Sequence, residues 1–510
     1  MASTVLPRRV MASHRERTAS PAPARCWDGA HLHRRSSNWL AVPMLAVAVG
    51  AGALTALGPL KALVGLLVLL LAACVWRWPA VAAYCVIALT PLTVGISRGS
   101  ALPVVRPNEA IAILVGGTLA VRGVVRISTG QLPKLRLDRV ELAMVLMAVT
   151  NSLVPLLWMT VRQEAISHDD LLYALVLWKF LGLYVIVRAS VTTDRQVQRC
   201  LWLSLASASI VALLAILQSL GLFGIPHLLE AFYAPAGGSG GQVGLQNGRG
   251  ASTLGLPAAT ADLCIFNLAV VTGLWTRYRR HRPALAAAAA LLVMGALAAG
   301  EFSSAIGLVV GLVCIAIVLR KPRLLSAFVP AALVAGYALR PVIARRLSGF
   351  QSASGLPVSW TTRLQNLQTY FWPKLFSHGN FLLGVRPGAR VAVPTQVTGY
   401  VWIESGYTWL LWGGGIPLLA GFLFFAYTVA RRGWAAARGG RDGRSVAGIA
   451  VFAAIFAITF LMAFDPHLTY RGSADDFFFL LALAAPRGRP LDDADAEHRT
   501  PQLVMTEVGT

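Results

Sequence analysis

Two arginines lie at the edges of long apolar runs, where their side chains could bind an anion. Arg249 lies in the stretch Gly-Arg-Gly-Ala-Ser-Thr-Leu-Gly, and Arg363 lies in Trp-Thr-Thr-Arg-Leu-Gln-Asn. An arginine is always charged, and its fork of N–H donors matches the oxygens of a phosphate group. The two residues therefore predict a binding site for an anionic substrate, with a lipid phosphate as the favoured class.

Glu404 is the acid that could complete such a site. It lies in Val-Trp-Ile-Glu-Ser-Gly-Tyr, immediately before another apolar run. A carboxylate beside apolar surface has a raised pKa, and such a group can accept the proton of a hydroxyl as a general base. A structural ion pair with one of the arginines fits the same position equally well, so both roles stay open.

The segment 345–406 is strongly unbalanced in charge. Its five arginines accompany a single acid, Glu404, and are Arg345, Arg346, Arg363, Arg386 and Arg390. Such an imbalance predicts a positive funnel that attracts anions. For Arg345 and Arg346, anchoring of a helix end is the favoured interpretation.

Other ionisable residues occur inside apolar runs or near their ends. Charged residues in membrane-spanning segments are rare and are candidates for function. For Lys179, Asp262 and Glu301, an internal salt bridge is nevertheless the favoured interpretation. In the segment after the penultimate apolar run, His467 could transfer protons, but a solvated loop histidine is favoured.

The composition indicates an all-α integral membrane protein. Of the 510 residues, 56% are apolar and only 13% are charged, whereas soluble domains carry roughly 25% charged residues. The net charge of +23 would indicate a nucleic-acid partner in a soluble protein. Lys and Arg concentrate in the cytoplasmic loops of membrane proteins, however, so no nucleic-acid partner is expected.

The apolar runs predict about 12–14 transmembrane helices, because roughly 17–25 apolar residues span a bilayer as a helix. The runs cover residues 40–59, 61–78, 79–96, 109–121, 140–161, 171–187, 200–224, 257–275, 284–302, 303–319, 324–344, 407–430, 446–464 and 477–486. The six cysteines lack the spacing of a metal site or a disulfide framework. Neither a metal nor a cofactor is expected.

The basic clusters predict the orientation of the chain. With the N-terminus inside, every dense basic cluster falls on the cytoplasmic side, as the positive-inside rule requires. We therefore expect a disordered, basic cytoplasmic tail over 1–38, a single membrane domain over 39–486 and a cytoplasmic tail over 487–510. The domain has two large outer loops, 225–256 and 345–406.

The second outer loop contains a predicted short helix. Leu364, Leu367, Phe371 and Leu375 recur at helical spacing. Such a stripe is typical of an amphipathic helix that lies in the membrane interface. A loop helix packed onto the bundle is an equally good interpretation.

Three segments of the chain resemble the superfamily of O-antigen ligases and polymerases. The first is 248–257, where an arginine precedes the Gly-Leu-Pro that opens a helix. The second is Arg363 with Gly-Val-Arg-Pro-Gly at 384–388, and the third is Glu404-Ser-Gly-Tyr407 with Gly-Ile-Pro-Leu-Leu at 415–419. The resemblance spans roughly 106–464 and rests equally on the layout of apolar runs.

The chain departs from the family ligases at two points. They carry a histidine where this chain has Glu404, and related polymerases often carry an acid there, so the resemblance favours a polymerase over a ligase. The family also commonly has a serine–arginine pair where this chain reads Gly-Glu301-Phe-Ser.

The resemblance implies metal-independent glycosyl transfer at the outer face of the plasma membrane. The donor would be an oligosaccharide on a polyprenyl diphosphate, and the acceptor would be a glycan or lipid. Arg249 and Arg363 would stabilise the departing diphosphate, since preorganised charge is a large term in catalysis, and Glu404 would orient or deprotonate the acceptor hydroxyl. Further substrate contacts are expected from Arg386, Arg390, Tyr400, Tyr407 and Lys179.

Two other classes compete with a glycosyltransferase. A transporter or flippase of a lipid-linked or anionic substrate would often show paired halves with broken helices at mid-membrane, and the sequence shows no such pairing. A membrane scaffold without chemistry would tolerate replacement of Arg249 and Arg363.

Overall fold

The computed structural model describes residues 59–96, 105–130, 138–233, 248–347, 358–393 and 399–486. The chain divides into two units, 1–66 and 67–510, and only 59–66 of the first unit is described. The predicted tails, 1–38 and 487–510, lie outside the described residues. So does all of the predicted run 40–59 except its last residue.

Helices dominate the described chain. The first eight are α1 Pro59–Arg77, α2 Ala80–Thr93, α3 Pro107–Ser128, α4 Arg139–Val161, α5 His168–Ala174, α6 Val176–Ser190, α7 Asp194–Leu220 and α8 Ile225–Tyr233. The next five are α9 Pro257–Arg277, α10 Arg282–Ala298, α11 Phe302–Leu319, α12 Arg323–Ala338 and α13 Arg340–Leu347. The last six are α14 Val358–Asn366, α15 Trp372–Phe376, α16 Asn380–Leu383, α17 Gly406–Arg438, α18 Gly443–Leu461 and α19 Ser473–Leu483.

Nine helical segments in the described part of the chain are long and apolar enough to cross a membrane. This confirms the predicted class, an all-α, multi-pass membrane protein. Helices α5 and α6 together make one of these segments, His168–Ser190, and two further apolar helices near the start of the described chain are shorter. The orientation and the cytoplasmic termini remain predictions.

Several helices begin at residues whose side chains cap them. Asp138 and Glu141 form a reciprocal capping box at the start of α4, and Thr193 and Gln196 form one at the start of α7. Each box provides acceptors for backbone N–H groups that have no partner inside the first turn. These local signals set the helix starts close to where the apolar runs begin.

Helix α9 lies at the centre of the bundle, and 94% of the residues in its apolar stretch are buried. Glycines allow the helices around it to approach closely. A Cβ added at Gly273 of α9 would lie 2.7 Å from the Val446 side chain of α18, and one at Gly448 would lie 2.6 Å from the Ala437 nitrogen of α17. Small residues at helix contacts are typical of membrane bundles, because packing holds such helices together.

The predicted loop helix packs onto the bundle. The chain forms α14, a π-helical turn over Leu367–Phe371 and then α15. Phe371 and Leu375 are buried, and the Phe371 ring meets the Trp412 ring of α17 edge to face at 5.2 Å. Of the two interpretations, packing onto the bundle is the one observed. Beyond it, β1 Arg390–Ala392 and β2 Tyr400–Trp402 pair in antiparallel fashion.

Candidate functional site

Ionisable side chains from the starts of three helices, from α14 and from two connections meet at one end of the bundle. This charged cluster consists of Arg249, Asp262, Glu301, Arg363, Glu404, Asp465, His467 and Tyr470. Asp262 lies near the start of α9, Glu301 precedes α11 and Glu404 precedes α17. At the opposite end of α9, Arg277 pairs instead with Asp194 at the start of α7.

Arg363 bridges two carboxylates. Its Nη1 lies 2.7 Å from Asp465 Oδ2, and its Nε lies 3.6 Å from Glu404 Oε1. Burial by itself lowers the pKa of Arg363, but Asp465 and Glu404 outweigh it, so the pKa lies above its ordinary value. The guanidinium therefore stays charged in a half-buried position.

Arg249 pairs with Glu301 at 2.8 Å, and Glu301 connects it to the rest of the cluster. The Gly250 N–H donates to the carbonyl of Ala298 at the end of α10, which holds this connection against the bundle. The charge on Glu301 also acts on Arg363, Asp465 and His467. Arg249 and Arg363, distant in sequence, therefore share one acidic neighbour.

His467 and Asp262 form a buried pair, with His467 Nδ1 2.7 Å from Asp262 Oδ2. Both side chains are fully buried, so the expected solvated loop histidine is wrong. A 3-10 turn over His467–Thr469 folds the ring toward α9 and against Tyr470, with ring centroids 4.7 Å apart. Burial lowers the pKa of His467, but Asp262 outweighs burial and raises it above its ordinary value. The internal salt bridge expected for Asp262 is confirmed.

Four buried polar atoms near this end of the bundle have no hydrogen-bond partner within the described residues. They are Arg249 Nε, Asp262 Oδ1, Ser304 Oγ and His467 Nε2. Buried polar atoms in proteins are nearly always paired, and Ser304 lies in the first turn of α11, close after Glu301. Their concentration beside the charged cluster indicates a place where a polar ligand would find partners.

Burial acts against ionisation of both carboxylates that pair with Arg363. Burial raises the pKa of Glu404 above its ordinary value, the Arg363 charge opposes that shift, and the Asp465 charge adds to it. Burial likewise raises the pKa of Asp465, again against the effect of Arg363. Glu404 keeps a third of its side chain exposed, whereas Asp465 is buried. Glu404 is therefore the carboxylate that a substrate can reach.

The predicted positive funnel is wrong for the described arginines. Besides the pairs of Arg249 and Arg363, Arg386 pairs with Asp170 at 2.7 Å, and Arg390 pairs with Asp169. These aspartates lie in the first turn of α5, outside the segment whose charge was counted. The side chains of Arg345 and Arg346 lie outside the described part of the chain.

The other predicted contact residues have partners away from the charged cluster. Tyr400 stacks under the Arg390 guanidinium, 4.3 Å from the ring centroid, and Tyr407 donates to the carbonyl of Thr459 at 2.7 Å. Lys179 pairs with Asp475 at 2.8 Å, which confirms the internal salt bridge expected for it. These contacts hold loops and helices together.

Sequence reasoning found Arg249, Arg363 and Glu404, treated Asp262, Glu301 and His467 separately, and assigned no role to Asp465 or Tyr470. Among the described residues, no group of three His, Cys, Asp or Glu side chains is arranged to hold a metal ion. Comparison of the chain with protein families, curated proteins and solved structures gives no match. The fold and the site define a multi-pass, all-α membrane protein with a charged cluster at one end of its bundle.

Proposed function

We propose that the protein transfers a glycan from a polyprenyl diphosphate to a glycan or lipid acceptor at the outer face of the plasma membrane. Polymerisation of a cell-surface polysaccharide is favoured over ligation. One observation carries the proposal: Arg249 and Arg363 converge through Glu301 on a half-buried cluster that also holds an accessible carboxylate, Glu404. The proposal places the chain with the O-antigen ligases and polymerases it resembles.

In this proposal, the donor diphosphate exchanges with carboxylates that pair with the arginines in the free protein. Glu301 and Asp465 occupy the guanidinium donors that phosphate oxygens would take. Arg249 Nε, which is buried and has no partner within the described part of the chain, is a further donor for an anion. Such exchange keeps each guanidinium paired throughout, because an unpaired buried charge is strongly destabilising. Burial, which raises the pKa of Asp465, favours its neutral form once Arg363 has turned to the phosphate.

Glu404 would then act on the acceptor. It accepts the proton of the acceptor hydroxyl, the hydroxyl oxygen bonds to the anomeric carbon, and the bond from that carbon to the diphosphate oxygen breaks. The polyprenyl diphosphate leaves with the electron pair of that bond. Arg249 and Arg363 stabilise its growing negative charge, as preorganised donors do in a partly desolvated site.

The distribution of charge supports the outer side of the membrane for the cluster. The cluster lies at one end of α9, and Arg277 lies at the other end. The basic run Arg279-Arg280-His281-Arg282 follows Arg277 closely in the sequence. The positive-inside rule assigns that basic end to the cytoplasm, and hence the cluster to the outer face. An activated lipid diphosphate needs no nucleotide, which suits a site away from cytoplasmic sugar nucleotides.

Deletion of the protein should change the size profile of lipid-linked glycans. We expect single lipid-linked repeat units to accumulate in the deletion strain and long surface chains to disappear, because no enzyme would join the units. Gel analysis of labelled lipid-linked and surface glycans measures this. Full-length lipid-linked chains that never reach an acceptor would indicate ligation instead, and an unchanged profile would contradict both reactions.

The rate of chain growth should fall as the pH is lowered, and the fall should begin at a higher pH than it would for a glutamate base with an ordinary pKa. A base works only when ionised, and burial raises the pKa of Glu404, so protonation abolishes activity as the pH drops through that raised value. Glu404→Gln should lower the rate at least about 100-fold and remove this acid limb. The measurement is the rate of chain growth on purified lipid-linked repeats between about pH 5 and pH 8.

Glu164→Gln is the matched control for this variant, since Glu164 pairs with Arg162 and is 43% exposed, apart from the cluster. It should keep both the rate and the pH profile of the parent. A parental rate in Glu404→Gln would remove Glu404 as the base while leaving donor binding by the arginines as a separate question.

One observation favours transport or flipping of a lipid-linked substrate as a second candidate. Lys179 of α6 and Asp475 of α19 form an ion pair between two apolar helices, and ionisable pairs inside membrane bundles also mark transport pathways. Proteoliposomes loaded with a labelled lipid-linked oligosaccharide separate the two functions. Movement of the label across the bilayer without chain growth would support transport.

A further inference from the structure

Two neighbouring aspartates in the first turn of α19 have very different partners. Asp475 pairs with Lys179 Nζ at 2.8 Å and accepts the Gly472 N–H at 2.8 Å. Asp476 is 1% exposed and contacts Ser204 of α7 and Asn267 of α9, both of which are also buried. Among the described residues, no cation lies against Asp476, and the neighbouring charge that acts on it is that of Asp475.

The contacts around Asp476 contain one hydrogen too few for an ionised carboxylate. Ser204 Oγ lies 2.8 Å from Asn267 Oδ1 and 2.9 Å from Asp476 Oδ1, but a hydroxyl has a single hydrogen. Asn267 Nδ2 donates both of its hydrogens, one to the Leu263 carbonyl at 3.1 Å and one to Asp476 Oδ2 at 2.9 Å. One of the two oxygen pairs at Ser204 therefore lacks a hydrogen unless Asp476 supplies it.

Reversing the Asn267 amide does not remove the shortage. The amide nitrogen would then donate to Ser204 Oγ, and the amide oxygen would face both Asp476 Oδ2 and the Leu263 carbonyl oxygen. The contact with Asp476 would again need a hydrogen from the carboxyl group. The hydrogen count thus gives the same result for either assignment of the amide atoms.

We propose that Asp476 is a proton-binding site, a neutral carboxylic acid that joins α7, α9 and α19. Its hydroxyl donates to Ser204 Oγ, Ser204 donates to Asn267 Oδ1, and Asn267 donates back to Asp476 Oδ2, which closes a ring of three hydrogen bonds. The inference stands on these contacts and is independent of the glycosyl-transfer proposal.

The bound proton has a structural consequence for the charged cluster. A neutral Asp476 places no second negative charge beside the ion pair of Asp475 with Lys179, whereas two buried neighbouring carboxylates would repel each other. The Asp476 N–H donates to the Gly472 carbonyl, and residues 465–472, which contain Asp465 and His467, lead directly into α19. The ring of three hydrogen bonds around the protonated Asp476 therefore anchors the connection 465–472, which supplies part of the charged cluster.

Infrared spectroscopy of the purified protein tests the proposal. A protonated carboxylic acid has a C=O stretch that a carboxylate lacks. The parent at neutral pH should show such a band, and Asp476→Asn should lose it. Because an amide can donate to Ser204 as the acid does, Asp476→Asn should keep the apparent melting temperature of the parent to within about 1 °C.

Asp475→Asn is the matched control one residue away. It removes the ion-pair partner of Lys179, so it should lower the apparent melting temperature by about 3 °C or more and leave the infrared band unchanged. An absent band in the parent, or a loss of stability in Asp476→Asn equal to that in Asp475→Asn, would overturn the proposal. So would a melting temperature that rises with sodium chloride but not with choline chloride, because an ionised Asp476 would then be holding a cation.

Discussion

Arg363→Lys should abolish glycan assembly while leaving the amount of protein in the membrane unchanged. A lysine keeps a positive charge for the buried carboxylate of Asp465, so the fold retains this ion pair. It cannot also reach Glu404 or grip two phosphate oxygens, because an ammonium is a point charge without a fork. Loss of one preorganised donor typically costs about 100-fold to 1,000-fold in rate.

The measurement is the rate of chain growth on purified lipid-linked repeats, together with immunoblots of the membrane fraction. Arg277→Lys is the matched control, because Arg277 also pairs with an aspartate but lies at the opposite end of α9. It should retain the parental rate. If Arg363→Lys assembles glycan of normal length at the normal rate, Arg363 does not act on the donor. Loss of the protein itself would identify a structural role for Arg363.

The helical architecture could be predicted because its signals are local. The run predicted at 257–275 is helix α9, Pro257–Arg277, which begins at a proline where the missing N–H is harmless. The run predicted at 407–430 is longer in the structure, Gly406–Arg438, and breaks at Gly415, where φ is +66°. The Gly-Gly-Gly-Ile-Pro stretch carried that signal, since glycine adopts positive φ freely and proline begins a new helical turn.

The members of the site could be found individually, but their pairing could not. Arg363 meets Asp465, and Arg249 meets Glu301, only after distant helices have packed together. Counting charge within one loop missed the acids at helix ends, such as Asp169 and Asp170. The alternation of the apolar runs was a stronger sequence signal for these pairs. A chain that crosses the membrane twice returns to the same side, so acids separated by two crossings lie on one side of the membrane.

Asp170→Ala should produce the largest loss of stability among single replacements near the segment 358–404. Asp170 is fully buried and accepts hydrogen bonds from Ser167, from the Nε and Nη2 atoms of Arg386 and from the Gly388 N–H. The Gly388 carbonyl in turn accepts from Trp412 Nε1 of α17 at 2.9 Å. Removing one side of a buried, hydrogen-bonded pair typically costs about 3–5 kcal/mol.

Asp169→Ala is the control that separates burial from charge. Asp169 pairs with Arg390, but both side chains are nearly a third exposed, so its loss should cost about 1 kcal/mol or less. Thermal melting in detergent should show Asp170→Ala about 3–5 °C below the parent and Asp169→Ala close to it.

Adding Arg386→Ala to Asp170→Ala should then cost little more, since the two residues act as one unit. Additive losses in the double variant would contradict a shared network, and equal losses in the two single variants would show that burial of Asp170 does not control this connection.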